Sequence, residues 1–284
     1  MATEKILITG AGTGFGKNIA FSLAEQGKSV IAGVEIISQV SALEQEAKER
    51  GVSMQIEKLD VTNPKDREKA WGWDIDVLVN NAAVSEGGSL VDIPEENLRH
   101  QFEVNVFGPI LLTKGFARQM IEKRAGRIVF VSSVSGLMAD PLMGPYCGTK
   151  HATEAFADSL SKELQEFKVE VATINPGPYL TGFNDREFET WKNWQSDSEE
   201  TVFDYEKAAF PYEQFDPEEV TEPSVKVILG ETNQYRNVIP EKMIPQVKEH
   251  MEAMWSKTTT EGLGERNETV QKSYEIEPGT PADS

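Results

Sequence analysis

Short apolar runs alternate with amphipathic stretches along the first 180 residues. Lys5–Thr9 (KILIT) leads into a glycine-rich turn. Phe15–Gln26 then repeats apolar side chains at helical spacing, with Ile19, Ala20, Leu23 and Ala24 on one face, and stops at Gly27. Further β-rich runs occupy residues 29–34, 54–59, 76–80, 127–132 and 169–175, and helical patterns lie at 39–50, 64–72, 95–123 and 146–167. Continuous apolar strands alternating with helices predict a parallel sheet covered on both faces. Right-handed crossovers wind such a sheet into a Rossmann-type, doubly wound α/β fold of about seven strands. After Pro178 the pattern loosens. Residues 180–215 mix Phe183, Phe188, Trp191, Trp194, Phe203, Tyr205, Phe210 and Tyr212 with many charges. A helix is expected at 217–229 and a last short strand at 237–239. The chain therefore reads as one domain over residues 1–255, with a substrate lid at about 180–215. A polar tail at 256–284 is expected to be mobile or held by a partner.

Composition narrows the function classes. The net charge of −19 argues against a nucleic-acid partner, because phosphate binding needs a basic face. Most of the acidic excess lies beyond residue 180, where it reads as a solubilising surface. The single cysteine, Cys147, excludes an internal disulfide and a multi-cysteine metal site, and no metal site is expected. No basic-then-apolar leader precedes the first strand, and no apolar run reaches the ~18–20 residues that span a bilayer. A cytoplasmic location without membrane association is the expectation.

Thr9-Gly10-Ala11-Gly12-Thr13-Gly14-Phe15-Gly16 sits between the first strand and the first helix. Glycines there allow a tight turn, close approach of a pyrophosphate, and close helix–strand packing, while the helix N-terminus offers free N–H groups to phosphate. Asp60 ends the third strand and suits either a turn or an adenine contact. Asn80-Asn81-Ala82-Ala83 ends the fourth, where small side chains let a ligand lie against the backbone. Tyr146 and Lys150 are four apart on a predicted helix and share a face. A neighbouring ammonium favours phenolate, so this pair can exchange a proton near neutrality.

These motifs resemble the short-chain dehydrogenase/reductase family of the classical type. The resemblance covers about residues 5–182: TGAGTGFG at 9–16, NNAA at 80–83, the asparagine of EVNVFG at 105, VSSVSG at 131–136, YCGTK at 146–150 and NPGPYLT at 175–181. Ala83 stands where the family more often has glycine, and the segment between Asp60 and Asp76 is short, which trims one helix. The resemblance implies a catalytic set of Asn105, Ser133, Tyr146 and Lys150. By chemistry alone Ser132 and Ser135 rival Ser133, and the family spacing selects Ser133 to hold the substrate oxygen. Asn105 would bend its helix and support a proton relay with the lysine. The implied dinucleotide contacts are Thr9, Gly10, Gly14, Phe15, Gly16, Glu35, Asp60, Val61, Asn81 and Ala82. Tyr146, Lys150, Pro176, Gly177 and Thr181 would line the nicotinamide end.

The second strand ends at Val34-Glu35. A carboxylate there binds the ribose 2′-hydroxyl and repels a 2′-phosphate. Glu35 lies one residue beyond the usual aspartate position, and Thr13 is not basic, so NAD is expected, with NADP as the alternative. The lid aromatics, with Leu137, Met138, Leu142 and Met143, suggest an apolar or aromatic alcohol or ketone as substrate. Cys147 is expected to pack. The family implies a homodimer or homotetramer through helices 95–123 and 146–167. The expected activity is interconversion of a secondary alcohol and a ketone. An NADP-dependent biosynthetic reductase and a catalytically silent dinucleotide-binding regulator are the competing readings.

Overall fold

A computed structural model describes residues 4–195 and 201–277. Seven parallel strands form one sheet in the order β3-β2-β1-β4-β5-β6-β7. They are β1 (Lys5–Thr9), β2 (Ser29–Val34), β3 (Gln55–Lys58), β4 (Val77–Asn80), β5 (Arg127–Val131), β6 (Glu170–Pro176) and β7 (Arg236–Ile239). β1 pairs with β2 through Lys5↔Ser29 and with β4 through Ile6↔Val77, so the strand order reverses direction between β1 and β4. That switch point opens a crevice at the carboxyl ends of the strands. The expected fold class is the observed one.

The core forms because the central strands are apolar on both faces. Ile6, Leu7 and Ile8 are fully buried, as are Leu78, Val79 and Val129. Helices α1 (Gly14–Glu25), α2 (Ile37–Arg50) and α8 (Glu218–Ile228) cover one face. Helices α3 (Pro64–Ala70), α5 (Gly108–Lys123) and α6 (Gly144–Leu164) cover the other. Each buried Leu, Ile or Phe contributes about 1.5–3 kcal/mol of apolar transfer free energy, so these two layers dominate the driving force.

The short segment after β3 yields a seven-residue α3 followed by a 3-10 turn at Trp71–Trp73. Trp71 fills the space this leaves. Its indole N–H donates to the carbonyl of Leu112 at 3.0 Å, and its ring lies against Gly115. The long pattern at 95–123 is not one helix. It divides into α4 (Glu95–Phe102), a π-helical turn at Glu103–Phe107, and α5.

The last third differs most from the sequence reading. A short α7 (Phe183–Glu187) opens the lid region, and α9 (Ile244–Ala253) follows β7. The expected polar tail contains a helix, α10 (Glu268–Glu275), which packs back on the lid. Its Val270 and Ser273 are buried, and the Ser273 carbonyl accepts from Ala209 N–H at 3.0 Å. Residues 278–284 of that tail lie outside the described residues.

Candidate active site

A cavity of about 800 Å³ runs along the carboxyl ends of the strands, from the glycine-rich turn to the lid and α10. At its first end, Gly10 and Gly14 adopt positive φ of 63° and 54°, conformations that few side chains tolerate. Gly16 is required for a different reason. A side chain there would press on the carbonyl of Gly10 at 2.6 Å and on the Asn81 carboxamide. Helix α1 starts without a side-chain cap and without an acidic residue in its first turn. Its first N–H groups are therefore left for an anion beside the glycine cradle. This arrangement fits a pyrophosphate.

The end of β4 is sewn to this turn. Asn81 Nδ2 donates to the carbonyls of Thr9 at 2.9 Å and Gly10 at 3.2 Å, and Thr9 Oγ1 accepts from the N–H groups of Asn81 and Ala82. Thr9 is fully buried, and neither it nor Gly16 lines the cavity; they shape its wall from behind. Gly10, Gly14, Phe15, Glu35, Asp60, Val61, Asn81 and Ala82 do line it, with Pro176, Gly177 and Thr181 farther along. Asp60 combines two expectations, because Oδ1 accepts from Thr62 N–H and Oγ1 in a local turn while the residue still lines the cavity. Gln39, unremarked in the sequence, also faces this end, and its carboxamide lies where a side chain on Gly12 would stand. The signal was available in its place one helical turn past Glu35. Lys58 is committed to Asp66 at 2.6 Å.

Tyr146 and Lys150 meet at the middle of the cavity. Both are buried, and the ammonium lies 5.6 Å from the centroid of the phenol ring. Lys150 Nζ donates to the Val131 carbonyl at 2.9 Å. The Ser133 hydroxyl favours the charged form of the Tyr146 phenol, and its Oγ accepts from Ser135 N–H at 3.1 Å and donates to the Pro176 carbonyl at 3.4 Å. Ser132 and Ser135 also line the cavity, but it is the Ser133 hydroxyl that acts on the tyrosine. Phe183 of α7 closes on Tyr146 with ring centroids 5.8 Å apart.

Asn105 occupies the π-helical turn and does not line the cavity. Its Oδ1 accepts from Val84 N–H at 2.8 Å, while Nδ2 donates to the Val84 carbonyl at 2.8 Å and to Thr149 Oγ1 at 3.1 Å. Thr149 Oγ1 in turn donates to the Tyr146 carbonyl at 2.8 Å. Asn105 thus ties the loop after β4 to the helix that carries Tyr146 and Lys150.

The electrostatics correct one expectation. Lys150 was expected to lower the Tyr146 pKa, yet burial raises it far above the ordinary tyrosine value, and the Glu187 carboxylate pushes the same way. Only the Ser133 hydroxyl opposes this. Burial also lowers Lys150 to about 8, with Glu154 opposing. In the protein alone, desolvation is the largest influence on both groups. Glu187, a lid residue that sequence patterning missed, is itself pushed up to about 8 by burial.

Most of the lid aromatics share one core, part of which reaches the cavity. Phe183, Phe210 and Tyr212 line the cavity, with Phe215, Met138 and Met143. Phe188, Trp191, Trp194, Phe203 and Tyr205 pack behind them with Leu142 and Cys147, in a lid core that also takes in Phe210, Tyr212 and Met143. Leu137 is buried beside Val134 and Met243. Among the described residues no cluster of His, Cys, Asp and Glu suits a metal, and no helix is long and apolar enough to cross a membrane.

A sequence model of the short chain dehydrogenase family matches residues 4–192. The chain is 35% identical over 224 residues to the uncharacterized oxidoreductase YusZ of Bacillus subtilis, covering 76% of this chain and 79% of that protein. It is 34% identical over 191 residues to the 3-ketodihydrosphingosine reductase of Bacteroides thetaiotaomicron, covering 65% and 67%. A short-chain dehydrogenase from Streptomyces avermitilis superposes with a TM-score of 0.75 at 25% identity, over 93% of this chain and 97% of that one. The family match spans the glycine turn, the π-helical asparagine and the Tyr146–Lys150 helix, and on that ground the chain belongs to the short-chain dehydrogenase family.

Proposed function

We propose that the protein interconverts a secondary alcohol and a ketone with NAD, using Tyr146 as the proton carrier. The observation that supports this most is the grouping of Ser133, Tyr146 and Lys150 at the centre of a cavity with a phosphate cradle at one end and aromatic side chains at the other. The nicotinamide, when bound, supplies or accepts the hydride. Tyr146 gives its proton to the carbonyl oxygen during reduction or takes it from the alcohol during oxidation. Ser133 holds that oxygen against the phenol. Lys150 provides positive charge beneath the phenol, which favours phenolate as the proton leaves. Asn105 fixes the helix that presents both groups, and a water it orders would carry the relay onward.

NAD is the cofactor this reading selects. Glu35 lines the ribose end, and Lys58, the nearby cation, already pairs with Asp66. A 2′-phosphate would meet carboxylates there. The apolar lining favours an apolar or aromatic substrate, and the name of the Bacteroides relative, a ketone reductase, is consistent with a reductive role. Homo-oligomers are part of the proposal, because Phe107 and Leu111 of the π-turn and α5 and Phe156 of α6 are 41–47% exposed on one pair of helices. A cytoplasmic location is retained as part of this reading.

The test is turnover of a panel of ketones and alcohols with NADH, NADPH and their oxidised forms, read by nicotinamide absorbance. The wild type is expected to show a higher kcat/KM with NAD(H), and Tyr146→Phe to lose about 10²–10⁴ in kcat while binding the dinucleotide as before. Normal turnover by Tyr146→Phe would sink the mechanism. Binding without turnover by the wild type would favour the silent regulator. A preference for NADPH would favour the biosynthetic alternative.

A further inference from the structure

Tyr146, Lys150 and Glu154 recur every four residues along α6 and form one stripe. The third member has been given no role so far. Its carboxylate is buried, with Oε1 accepting from Asn175 Nδ2 at 2.6 Å and Oε2 from Arg236 Nη2 at 2.9 Å. The same Asn175 Nδ2 donates to the Ser133 carbonyl at 3.1 Å, and Asn175 Oδ1 accepts from Thr173 Oγ1 at 3.0 Å. One carboxylate therefore links α6, β6, β7 and the residue that holds the substrate oxygen. Gly136 makes the junction tight. A side chain there would stand 2.9 Å from the Lys150 carbonyl and 3.1 Å from Glu154 Cγ.

Lys150 is 4% exposed, and the hydrogen bond from its ammonium goes to a neutral carbonyl. A buried cation needs a counter-charge. The carboxylate that favours its charged form is Glu154, one helical turn away. Facing Glu154 are Lys150 on its own helix, Asn175 on β6, Arg236 at the start of β7 and Tyr235 just before it. Arg236 holds the carboxylate in place but also weakens its field.

We propose that Glu154 is a positioning residue for proton transfer: its carboxylate fixes the Ser133 backbone through Asn175 and supplies the counter-charge for the Lys150 ammonium. The proposal rests on the proton-carrier reading above. Two changes separate field from scaffold. Glu154→Gln keeps the shape and removes the charge. Arg236→Gln loosens the same network and keeps the charge.

With a ketone that the wild type reduces, kcat/KM is expected to fall as pH rises through about 8, where Lys150 loses its proton. In Glu154→Gln that midpoint moves down by about one pH unit, whereas Arg236→Gln does not lower it. Dinucleotide affinity is unchanged in both. An unmoved midpoint in Glu154→Gln, or the same downward shift in both variants, would overturn the proposal.

A second measurement needs no turnover. Lys150 titrates near 8 in the folded protein, below the ordinary lysine value of 10.5. The folded form thus binds fewer protons than the unfolded chain between those values, and stability rises with pH there. Glu154→Gln extends this window to lower pH. Its melting temperature should fall farther below wild type at pH 6.5 than at pH 9.5. A gap that does not narrow refutes the field role even if no ketone is turned over, a result that would count separately against the reductase reading.

Discussion

At Tyr146 the phenol is caught between groups that pull in opposite directions. Glu187, 1% exposed at the end of α7, is held with its carbonyl accepting from Gly87 N–H at 3.1 Å, and its carboxyl titrates near 8. Because that value lies above the ordinary 4.5, the folded protein keeps a proton that the unfolded chain has released between pH 4.5 and 8. Stability is complete below that window and is lost as pH rises through it. Glu187→Gln has no proton to lose, so its melting temperature should gain on wild type by several degrees between pH 5 and pH 8.5. Parallel curves, measured by scanning fluorimetry, would show that Glu187 is ionised throughout. The ionised carboxylate also opposes phenolate formation at Tyr146, so the same variant should form phenolate at lower pH.

At the scale of elements, the central strands were legible because they are apolar on both faces and bounded by glycine, asparagine or aspartate. Their observed ends lie within about one residue of the pattern. The π-turn was not legible in the 3.6-residue period, since a one-residue widening barely disturbs it; Asn105 was found by resemblance instead. Helix α10 was missed because it buries a single short stripe, Val270 and Ser273 with Tyr274 beside them, among five polar or charged neighbours. Its one local signal was Asn267, whose Oδ1 caps the helix by accepting from Thr269 N–H at 2.9 Å. Glu154 was legible as the next step of the Tyr146–Lys150 stripe, but its partners Asn175 and Arg236 are far away in sequence. Removing residues 266–284 uncovers the lid core and takes Lys272 from the cavity mouth. Burial of Val270 and the Tyr274 ring contributes about 2–4 kcal/mol, so the melting temperature should drop by several degrees. KM for the ketone should rise while dinucleotide affinity holds. Unchanged KM would mean that α10 only braces the lid.

Across the whole molecule, exposed apolar side chains fall in more than one place, including Trp255 and Leu263 of the acidic last third. The acidic excess is greatest beyond residue 180, while Phe107, Leu111 and Phe156 expose apolar side chains on the face built by α5 and α6. Those helices also carry the supports of Lys150 and Tyr146, so their packing and the site are coupled. Leu111→Glu should convert an oligomer to monomer in sedimentation and lower activity severalfold at dilute protein concentration. A wild type that sediments as a monomer would remove this surface as an interface.

The docking of α10 on the lid has a consequence for how the site comes into being. Chains emerge from the ribosome amino end first, and the cofactor half is encoded almost wholly within the first 180 residues. The substrate half is closed by α10, Glu268–Glu275, far later along the chain. A nascent chain can thus assemble its nucleotide cradle long before its substrate wall is finished. Termination ahead of Glu268 would leave the nucleotide cradle with an incomplete substrate wall.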